Sequence, residues 1–169
     1  MAREGYLIDV RRICDKYNVL LLVDEVATGF GRTGEMFACN HDGVTPDILI
    51  LGKGLTSGYL PLSATITTQD IFDTFLGDYD ELRTFFHGHS YSGNPLSCAT
   101  AIANLEIFDE EKTISTIKAS IRILDDQLKE FKGLKHVSDI RSKGLMAGID
   151  LQKDPKKNIP YQPVSYTHL

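Results

Sequence analysis

Two short apolar runs, each followed by charged residues, constrain the fold more than any other feature of the sequence. Residues 19–26 are apolar apart from Asp24 and Glu25, and residues 48–51 are apolar up to the glycine-flanked Lys53. Continuous apolar runs of this length are typical of strands that are covered on both faces, as in a parallel sheet. With a helix before the first run and a crossover between the two, the order of elements indicates an α/β fold.

Apolar residues at helical spacing predict three helices around these strands. The first spans residues 3–17. The second begins at Asn94 and Pro95, where the asparagine serves as N-cap and the proline occupies the first turn, and it runs to about Phe108. The third spans residues 114–131, where apolar residues in steps of three and four form one stripe.

Two further segments have the patterns of strands. Residues 62–68 predict a third strand after the lysine, and residues 135–151 predict a hairpin of two strands that turns near Ser142 to Gly144. A separate small unit therefore follows the helices.

The same change of pattern predicts the domain organisation. We expect residues 1–93 to form part of a large domain with a mainly parallel sheet. Residues 94–132 would supply connecting helices, and residues 133–169 would begin a small C-terminal α+β domain. The tail at 161–169 does not follow the pattern of the rest.

Composition and charge exclude several classes of function. The net charge of −5 and the pI of about 5.5 argue against nucleic-acid binding, which needs a basic surface. No apolar run reaches the roughly 18 residues of a membrane span, and no secretory signal pattern is present. The cysteines Cys14, Cys39 and Cys98 contain no C-x-x-C pair, so we expect free thiols, no zinc site and a reducing cytoplasm.

The stretch LLLVDEVATGFGRTG at residues 20–34 fits three kinds of chemistry. A triphosphatase would need the loop G-x-x-x-x-G-K-[ST], but Asp47 and Gly54 stand where that pattern requires Gly and Ser or Thr. The three glycines of the stretch fit the dinucleotide pattern G-x-G-x-x-G, yet the next strand ends at Lys53, where that site needs an acid. Both interpretations are disfavoured.

The third interpretation uses both strand ends together. Ligands of open α/β sheets bind at the carboxyl ends of the strands, which would bring Asp24 and Lys53 to one edge. A lysine between glycines suits a Schiff base with pyridoxal phosphate (PLP), and an acid facing it can keep the pyridine nitrogen protonated. Spacing alone does not separate this pair from a surface lysine in a turn and a solvated aspartate.

Three longer blocks resemble the class III, fold-type I PLP-dependent aminotransferases. They are DEVATGFGRTG at 24–34, PDILILGKGLTSGYLPLSA at 46–64 and FFHGHSYSGNPLSCATA at 85–101. The blocks follow the family's order, and the resemblance covers most of residues 1–150. Ala27 and the segment TFFHGHSYSGNP resemble the branch of biotin synthesis, and the ornithine, aminobutyrate and diamine types are the alternative.

The resemblance implies a reaction and its partners. A small amino donor, S-adenosylmethionine or lysine, would give its amino group to the oxo-acid 8-amino-7-oxononanoate, forming 7,8-diaminononanoate. PLP would be the cofactor, and a homodimer with shared sites would be the active state.

The resemblance also implies roles for residues near the strand ends. Lys53 would form the internal aldimine and carry the proton between substrate carbon and cofactor carbon. Asp24 would pair with the pyridine nitrogen, and Val26 would pack on the face of the ring. Glu25 and Arg32 are interpreted as structural.

Later residues complete the implied site. Ser90 would reach the phosphate of the neighbouring subunit's cofactor, Gly88 would lie beside the substrate, and Arg141 would bind the substrate's carboxylate. His87 and His89 are two residues apart without further ligands, so we expect no metal there.

The sequence also departs from the family. Relatives are longer, and their Gly-Ser phosphate loop and ring-stacking aromatic have no counterpart here. The ending YQPVSYTHL does not continue the family's pattern. We therefore expect a fragment that is inactive by itself, and the alternative outside catalysis is a structural or interaction module.

Overall fold

The computed structural model describes residues 3–161 as two small sheets connected by helices. The elements in chain order are α1 (Tyr6–Tyr17), β1 (Leu22–Asp24), β2 (Ile48–Leu51), β3 (Ala64–Thr67), α2 (Gln69–Asp73), α3 (Pro95–Glu110), α4 (Thr113–Phe131), β4 (Val137–Lys143), β5 (Met146–Asp154) and β6 (Ile159–Pro160). Most of the atypical tail lies outside the described residues.

The first sheet has the strand order β1-β2-β3 and carries the two charged strand ends. β1 runs parallel to β2, with Leu22 opposite Ile48 and Asp24 opposite Ile50. β3, which is rich in the β-branched residues that favour strands, runs antiparallel to β2. The α/β prediction is confirmed, and in the described part of the chain this sheet is mixed.

β1 begins later than the apolar run predicts. Asn18 ends α1 in the left-handed region with a φ of 52°, and the amide of Val19 donates to the carbonyl of Cys14 at 2.9 Å. Because this cap occupies the backbone of Val19, the chain reaches the sheet only at Leu21. Val19, Leu20 and also Leu22 within β1 are 57%, 58% and 52% exposed, so the prediction that the whole run is covered on both faces is wrong for these three residues.

Asp47 ties α1 to the first sheet. Its Oδ2 accepts hydrogen bonds from the Arg11 guanidinium at 2.7 Å and from the Leu21 amide at 2.6 Å. Its backbone N–H donates to the Leu21 carbonyl, and its carbonyl accepts from the Thr68 amide. The hydrogen bond from Arg11 is the largest of the effects that hold the pKa of Asp47 below its usual range. One carboxylate therefore fixes α1 against the starts of β1 and β2.

α3 begins as the sequence predicts. The side-chain oxygen of Asn94 accepts from the amides of Leu96 and Ser97 at 3.0 and 3.2 Å, and Pro95 occupies the first turn. These bonds satisfy amides that have no partner within the helix, which makes the boundary sharp.

α4 packs its apolar stripe against the glycine-rich loop that follows β1. A side chain at Gly31 would place its Cβ 2.8 Å from the Cδ1 of Ile117, and Gly31 also has a φ of 83°. Only glycine meets both conditions. The next regular element after Gly34 is a short 3-10 segment, Ala38–Asp42, so the loop lacks the helix that a dinucleotide site requires.

β4 and β5 form the predicted hairpin, and β6 adds to β5 in antiparallel orientation. The turn lies at Gly144 and Leu145, at the end of the predicted range. The amide of Leu145 donates to the carbonyl of Arg32 at 2.8 Å, which links the hairpin to the loop after β1.

The buried core is small and lies around the first sheet and the helices that follow it. Its apolar members are Leu21, Cys39, Val44, Leu51, Leu55, Ala101 and Leu128. Among residues 3–161, no helix combines the length and apolar composition needed to cross a bilayer. The proposed division at 93 and 133 stays a prediction.

Replacing Asp47 with alanine should destabilise the fold in a pH-dependent manner. We expect a loss of roughly 1–3 kcal/mol in the free energy of unfolding at neutral pH, the range for removing a hydrogen-bonded charged partner. Because the pKa of Asp47 is lowered in the folded state, its contribution is present above its unfolded pKa of about 3.9 and disappears as the pH falls through the folded value.

Urea unfolding of the parent and the Asp47→Ala chain between pH 7 and pH 2.5 measures this effect. The two curves should converge on acidification. The exposed Asp80, whose side chain has no hydrogen-bond partner among residues 3–161, provides the control as Asp80→Ala. A difference between parent and Asp47→Ala that stays constant down to pH 2.5 would contradict the assignment.

Candidate functional site

Lys53 begins a single 3-10 turn, Lys53–Thr56, directly after β2. Its φ of 39° lies in the left-handed region, which costs a residue with a side chain roughly 1–3 kcal/mol. The side chain is exposed and lines a cavity of about 1100 Å³, whose other walls are the loop from Gly58 to Ser63 and residues of the segment 87–97. A strained backbone at a cavity wall is typical of functional sites.

Asp24 lies at the corresponding end of β1. Its backbone pairs with Ile50, three residues before Lys53, and its Oδ1 accepts from the Val26 amide at 2.9 Å. The parallel pairing therefore places both predicted residues at one edge of the sheet. Asp24 lines a second cavity of about 760 Å³ rather than the one that Lys53 lines, so the two groups share an edge without sharing a cavity.

Val26 lies beside the lysine turn. A Cβ at Gly52 would stand 3.5 Å from both Val26 methyl carbons, which is ordinary van der Waals contact. This places the side chain of Val26 next to the residue that precedes Lys53. Its predicted contact with a cofactor ring stays a prediction.

Glu25 is fully buried and holds the loop that follows β1. Its Oε1 accepts from the Cys39 amide at 2.9 Å, and its Oε2 accepts from the Thr28 hydroxyl. Because a buried charge is tolerated only when it is hydrogen-bonded, these donors account for its position and support the structural interpretation. Burial, and then the nearby charge of Glu25, raises the pKa of the Cys39 thiol to about 11.

Ser90 and Gly88 are both exposed and lie in the segment that precedes α3. Neither lines the cavity of Lys53, whereas their neighbours His87, His89 and Tyr91 do. The structure therefore brings the segment to the cavity and leaves the two predicted residues beside it.

Arg141 lies on β4 and lines neither cavity. Its guanidinium donates two hydrogen bonds to the Asp150 carboxylate, of 2.6 and 2.8 Å, and also donates to Asp139. These hydrogen bonds, with Asp150 first, raise the pKa of Arg141. The structure thus does not bring Arg141 together with Lys53, and its role toward a substrate stays a prediction.

The sequence interpretation missed several cavity residues. Tyr59, His87, His89 and Tyr91 line the same cavity as Lys53, which the argument against a metal site at the two histidines does not predict. The signal was the density of aromatic and imidazole groups in FFHGHSYS. Within residues 3–161, no group of three His, Cys, Asp or Glu side chains is placed to hold a metal ion.

Comparison with known proteins decides the family. The family described as Aminotransferase class-III matches residues 1–167. The chain belongs to the class III aminotransferases.

Individual relatives agree with this assignment. The adenosylmethionine-8-amino-7-oxononanoate aminotransferase of Aquifex aeolicus is 54% identical over 157 residues, which is 93% of this chain and 35% of that protein. The enzyme of the same name from Anoxybacillus flavithermus is 52% identical, over 94% of this chain and 35% of that protein.

A solved structure agrees as well. The crystal structure of the enzyme so named from Methanocaldococcus jannaschii has a TM-score of 0.90 and 47% identity, covering 94% of this chain and 37% of that one. The chain therefore spans about a third of the length of the relatives it matches.

Class III aminotransferases depend on PLP, and the residues present fit that cofactor in kind. The cavity offers the amine of Lys53 together with hydroxyl donors at Ser63, Thr65 and Ser92. Asp24 supplies a carboxylate at the end of the neighbouring strand. An amine can hold the aldehyde of PLP, hydroxyl donors can bind its phosphate, and a carboxylate can pair with its ring nitrogen.

The raised pKa of Cys39 predicts that its thiol reacts slowly with alkylating reagents. With a pKa of about 11, only about one thiol in a thousand is ionised at pH 8, and the thiolate is the reactive form. Alkylation of Cys39 by iodoacetamide in the folded chain should therefore accelerate about tenfold per pH unit up to pH 10. The Cys14→Ser, Cys98→Ser chain leaves Cys39 as the single thiol, and mass spectrometry measures the rate.

A urea-unfolded sample of the same double variant provides the control, because unfolding removes both the burial and the fixed position of Glu25. There the rate should level off near the ordinary thiol pKa of about 8.5. A folded chain whose rate also levels off below pH 9 would show that the surroundings of Cys39 do not suppress its ionisation.

Proposed function

We propose that this chain carries part of the active site of a PLP-dependent aminotransferase that acts on 8-amino-7-oxononanoate and forms 7,8-diaminononanoate in biotin biosynthesis. The observation that carries the proposal is the 3-10 turn after β2, whose first residue, Lys53, has a left-handed φ and lines a cavity of about 1100 Å³. The names of relatives near 50% identity support the choice of substrate. The amino donor is S-adenosylmethionine or lysine.

Lys53 is the proton carrier of this proposal. PLP, when bound, supplies an electron-accepting ring that stabilises negative charge on the substrate carbon. The Nζ of Lys53 would hold the cofactor through its aldehyde group, and as a free amine it would be the base that moves the proton of the substrate carbon. Its position at a turn between two strands, on a flexible four-carbon chain, suits both tasks.

Asp24 holds a proton on the ring nitrogen. Its Oδ1 is oriented by the amide of Val26, and among residues 3–161 no side chain donates a hydrogen bond to its Oδ2. A carboxylate fixed in this way favours the protonated ring, which is the stronger electron acceptor. The backbone pairing of β1 with β2 sets how far this carboxylate lies from the lysine turn.

Ser90 serves the cofactor of a second subunit in this proposal. It is exposed and lies between two residues that line the cavity of its own chain. The segment around it exposes large apolar side chains, among them Tyr79, Phe86 and Tyr91 at 95%, 83% and 75%. Large apolar side chains exposed within one short segment are a feature of protein interfaces, which supports a homodimer. Three free thiols fit a reducing cytoplasm.

The proposal predicts where PLP attaches. Incubation of the chain with PLP, followed by borohydride reduction and peptide mass spectrometry, should place the pyridoxyl group on Lys53 in preference to exposed lysines such as Lys112. Lys53→Arg should abolish the preference while leaving labelling elsewhere unchanged. Dominant labelling of another lysine in the parent chain would overturn the proposal.

The same preparation tests Asp24. In an active protein that carries this segment, Asp24→Asn should retain the label on Lys53 and slow turnover of 8-amino-7-oxononanoate by about 100-fold or more, the scale of losing one charge-stabilising group. Faster turnover of an ornithine or diamine substrate in the parent would assign the chain to another branch of the class.

Arg141 is proposed to bind the substrate's carboxylate, and the hairpin geometry makes the idea testable. Its guanidinium is already hydrogen-bonded to Asp150 and Asp139, so a substrate carboxylate must displace one of them. Arg141→Lys, which loses the bidentate geometry, should raise the KM of the oxo-acid about tenfold more than that of the amino donor. Asp150→Asn, which frees the guanidinium, should lower the oxo-acid KM.

Steady-state kinetics with both substrates varied, alongside thermal unfolding, separates the two roles of Arg141. If both variants lower Tm and leave the ratio of the two KM values unchanged, Arg141 only ties β4 to β5, and the substrate's carboxylate binds elsewhere.

A further inference from the structure

Asn104 of α3 is buried and directs its whole amide at the turn that carries Lys53. Its Nδ2 donates to the carbonyls of Gly54 and Leu55 at 2.9 and 3.1 Å. Its Oδ1 accepts from the Ser57 hydroxyl at 2.5 Å. One side chain therefore makes three hydrogen bonds to a segment of four residues that lies about fifty positions earlier in the chain.

The turn depends on such outside contacts. Its own backbone supplies only the bonds of one short 3-10 turn, among them those from the Leu55 amide to the Gly52 carbonyl and from the Ser57 amide to the Gly54 carbonyl. A single helical turn of this length does not hold itself in water. The turn also begins with Lys53 at a φ of 39°, which the surrounding structure has to enforce.

The turn is also fixed by packing. A Cβ at Gly54 would lie 2.8 Å from the Cβ of Phe30 and within 3.0 Å of its ring, so only glycine allows this approach. Phe30 also stacks edge-on against Phe108 of α3, with ring centroids 6.3 Å apart. The turn is therefore held by both Phe30 and Asn104, and the exposed side chain of Lys53 lines the cavity.

The hydrogen-bond pattern argues for a specific task. A buried asparagine that only needs a hydrogen-bond partner can use the carbonyl one turn earlier in its own helix. The Thr100 hydroxyl does this with the Leu96 carbonyl. All three hydrogen bonds that the Asn104 side chain makes with residues 3–161 go to the lysine turn instead. Two of them engage backbone carbonyls, which are present whatever side chains the turn carries.

We propose that Asn104 is a positioning residue that holds the Lys53–Thr56 turn in place, and with it the left-handed φ of Lys53, and thereby sets where Nζ stands. The inference rests on the proposed function, in which Lys53 is the cofactor-binding lysine. Asn104 acts through the turn and does not touch the reacting atoms.

Two variants of different severity test the role in the full chain. Asn104→Asp keeps the size of the side chain but turns two donors into acceptors that face two carbonyl oxygens. Ser57→Ala removes only the third hydrogen bond at an exposed position, so the chain should fold even if Asn104→Asp does not. Leu128→Ala, in the buried core of α4, is the control for general destabilisation.

The first readout needs no cofactor. Amide hydrogen exchange at Leu55 and Ser57, whose N–H groups form the turn's own bonds, should accelerate about tenfold in Asn104→Asp and two- to threefold in Ser57→Ala. In Leu128→Ala, the exchange of these two amides should accelerate no more than the exchange of the amides in the first sheet. Unchanged exchange at Leu55 and Ser57 in Ser57→Ala and Asn104→Asp would overturn the proposal, as would equal acceleration in Leu128→Ala.

The second readout uses PLP itself as the probe. After borohydride reduction, the label on Lys53 relative to the other lysines should fall at least fivefold in Asn104→Asp and stay near the parent ratio in Leu128→Ala. The pH at which the absorbance of the Lys53-bound PLP changes should also shift in Asn104→Asp alone. A parent chain labelled elsewhere refutes the proposed function, and the exchange measurement then still decides whether Asn104 holds the turn.

Discussion

The parallel pairing of β1 with β2 is the constraint from which the rest of the site follows. Three residues of β1 pair with three of β2 in an unshifted register, so the strand ends fall at the same height. One strand ends in a carboxylate and the other leads into a lysine turn. A slip of one residue would turn Asp24 to the opposite face of the sheet and separate the two groups.

Two carboxylates on either side of this pairing stabilise it by different means. Asp47 precedes β2 and is half-buried, and it gains from a charged partner and from a backbone amide on the neighbouring strand. Glu25 follows β1 and has no exposed surface, so its charge is offset only by the donors that the folded loop brings to it. Asp47 therefore fixes where the strands begin, and Glu25 fixes how the chain leaves the sheet behind Asp24.

The sequence predicted those parts of the structure that depend on local chemistry. The apolar runs located β1 and β2, Asn94 and Pro95 located the start of α3, and the glycine-flanked lysine located the turn. Each of these signals acts within a few residues, through strand propensity, capping or backbone freedom. The family resemblance added the cofactor, which neighbouring residues alone had left undecided.

What the sequence did not predict depends on contacts across long separations. The antiparallel direction of β3, the ion pair that occupies Arg141 and the hydrogen bonds of Asn104 all join residues far apart in the chain or on different strands. An asparagine within an apolar helix pattern predicts nothing about which turn its amide will meet, because that depends on how α3 docks. The late start of β1 is different, because it depends on a local feature, the left-handed cap at Asn18, which takes Val19 out of the strand.

At Lys53, local sequence and long-range contacts determine different features of the site. Residues near Lys53 in the chain supply the amine, the strand before it and the glycine that admits Phe30. The conformation that aims the amine is enforced from α3, through an aromatic contact at Phe108 and an amide at Asn104. Since a left-handed lysine is unfavourable unless its surroundings impose it, the turn reaches its working geometry only once α3 has packed against the first sheet. The chemistry of the site is therefore local in sequence, and its geometry is a consequence of tertiary structure.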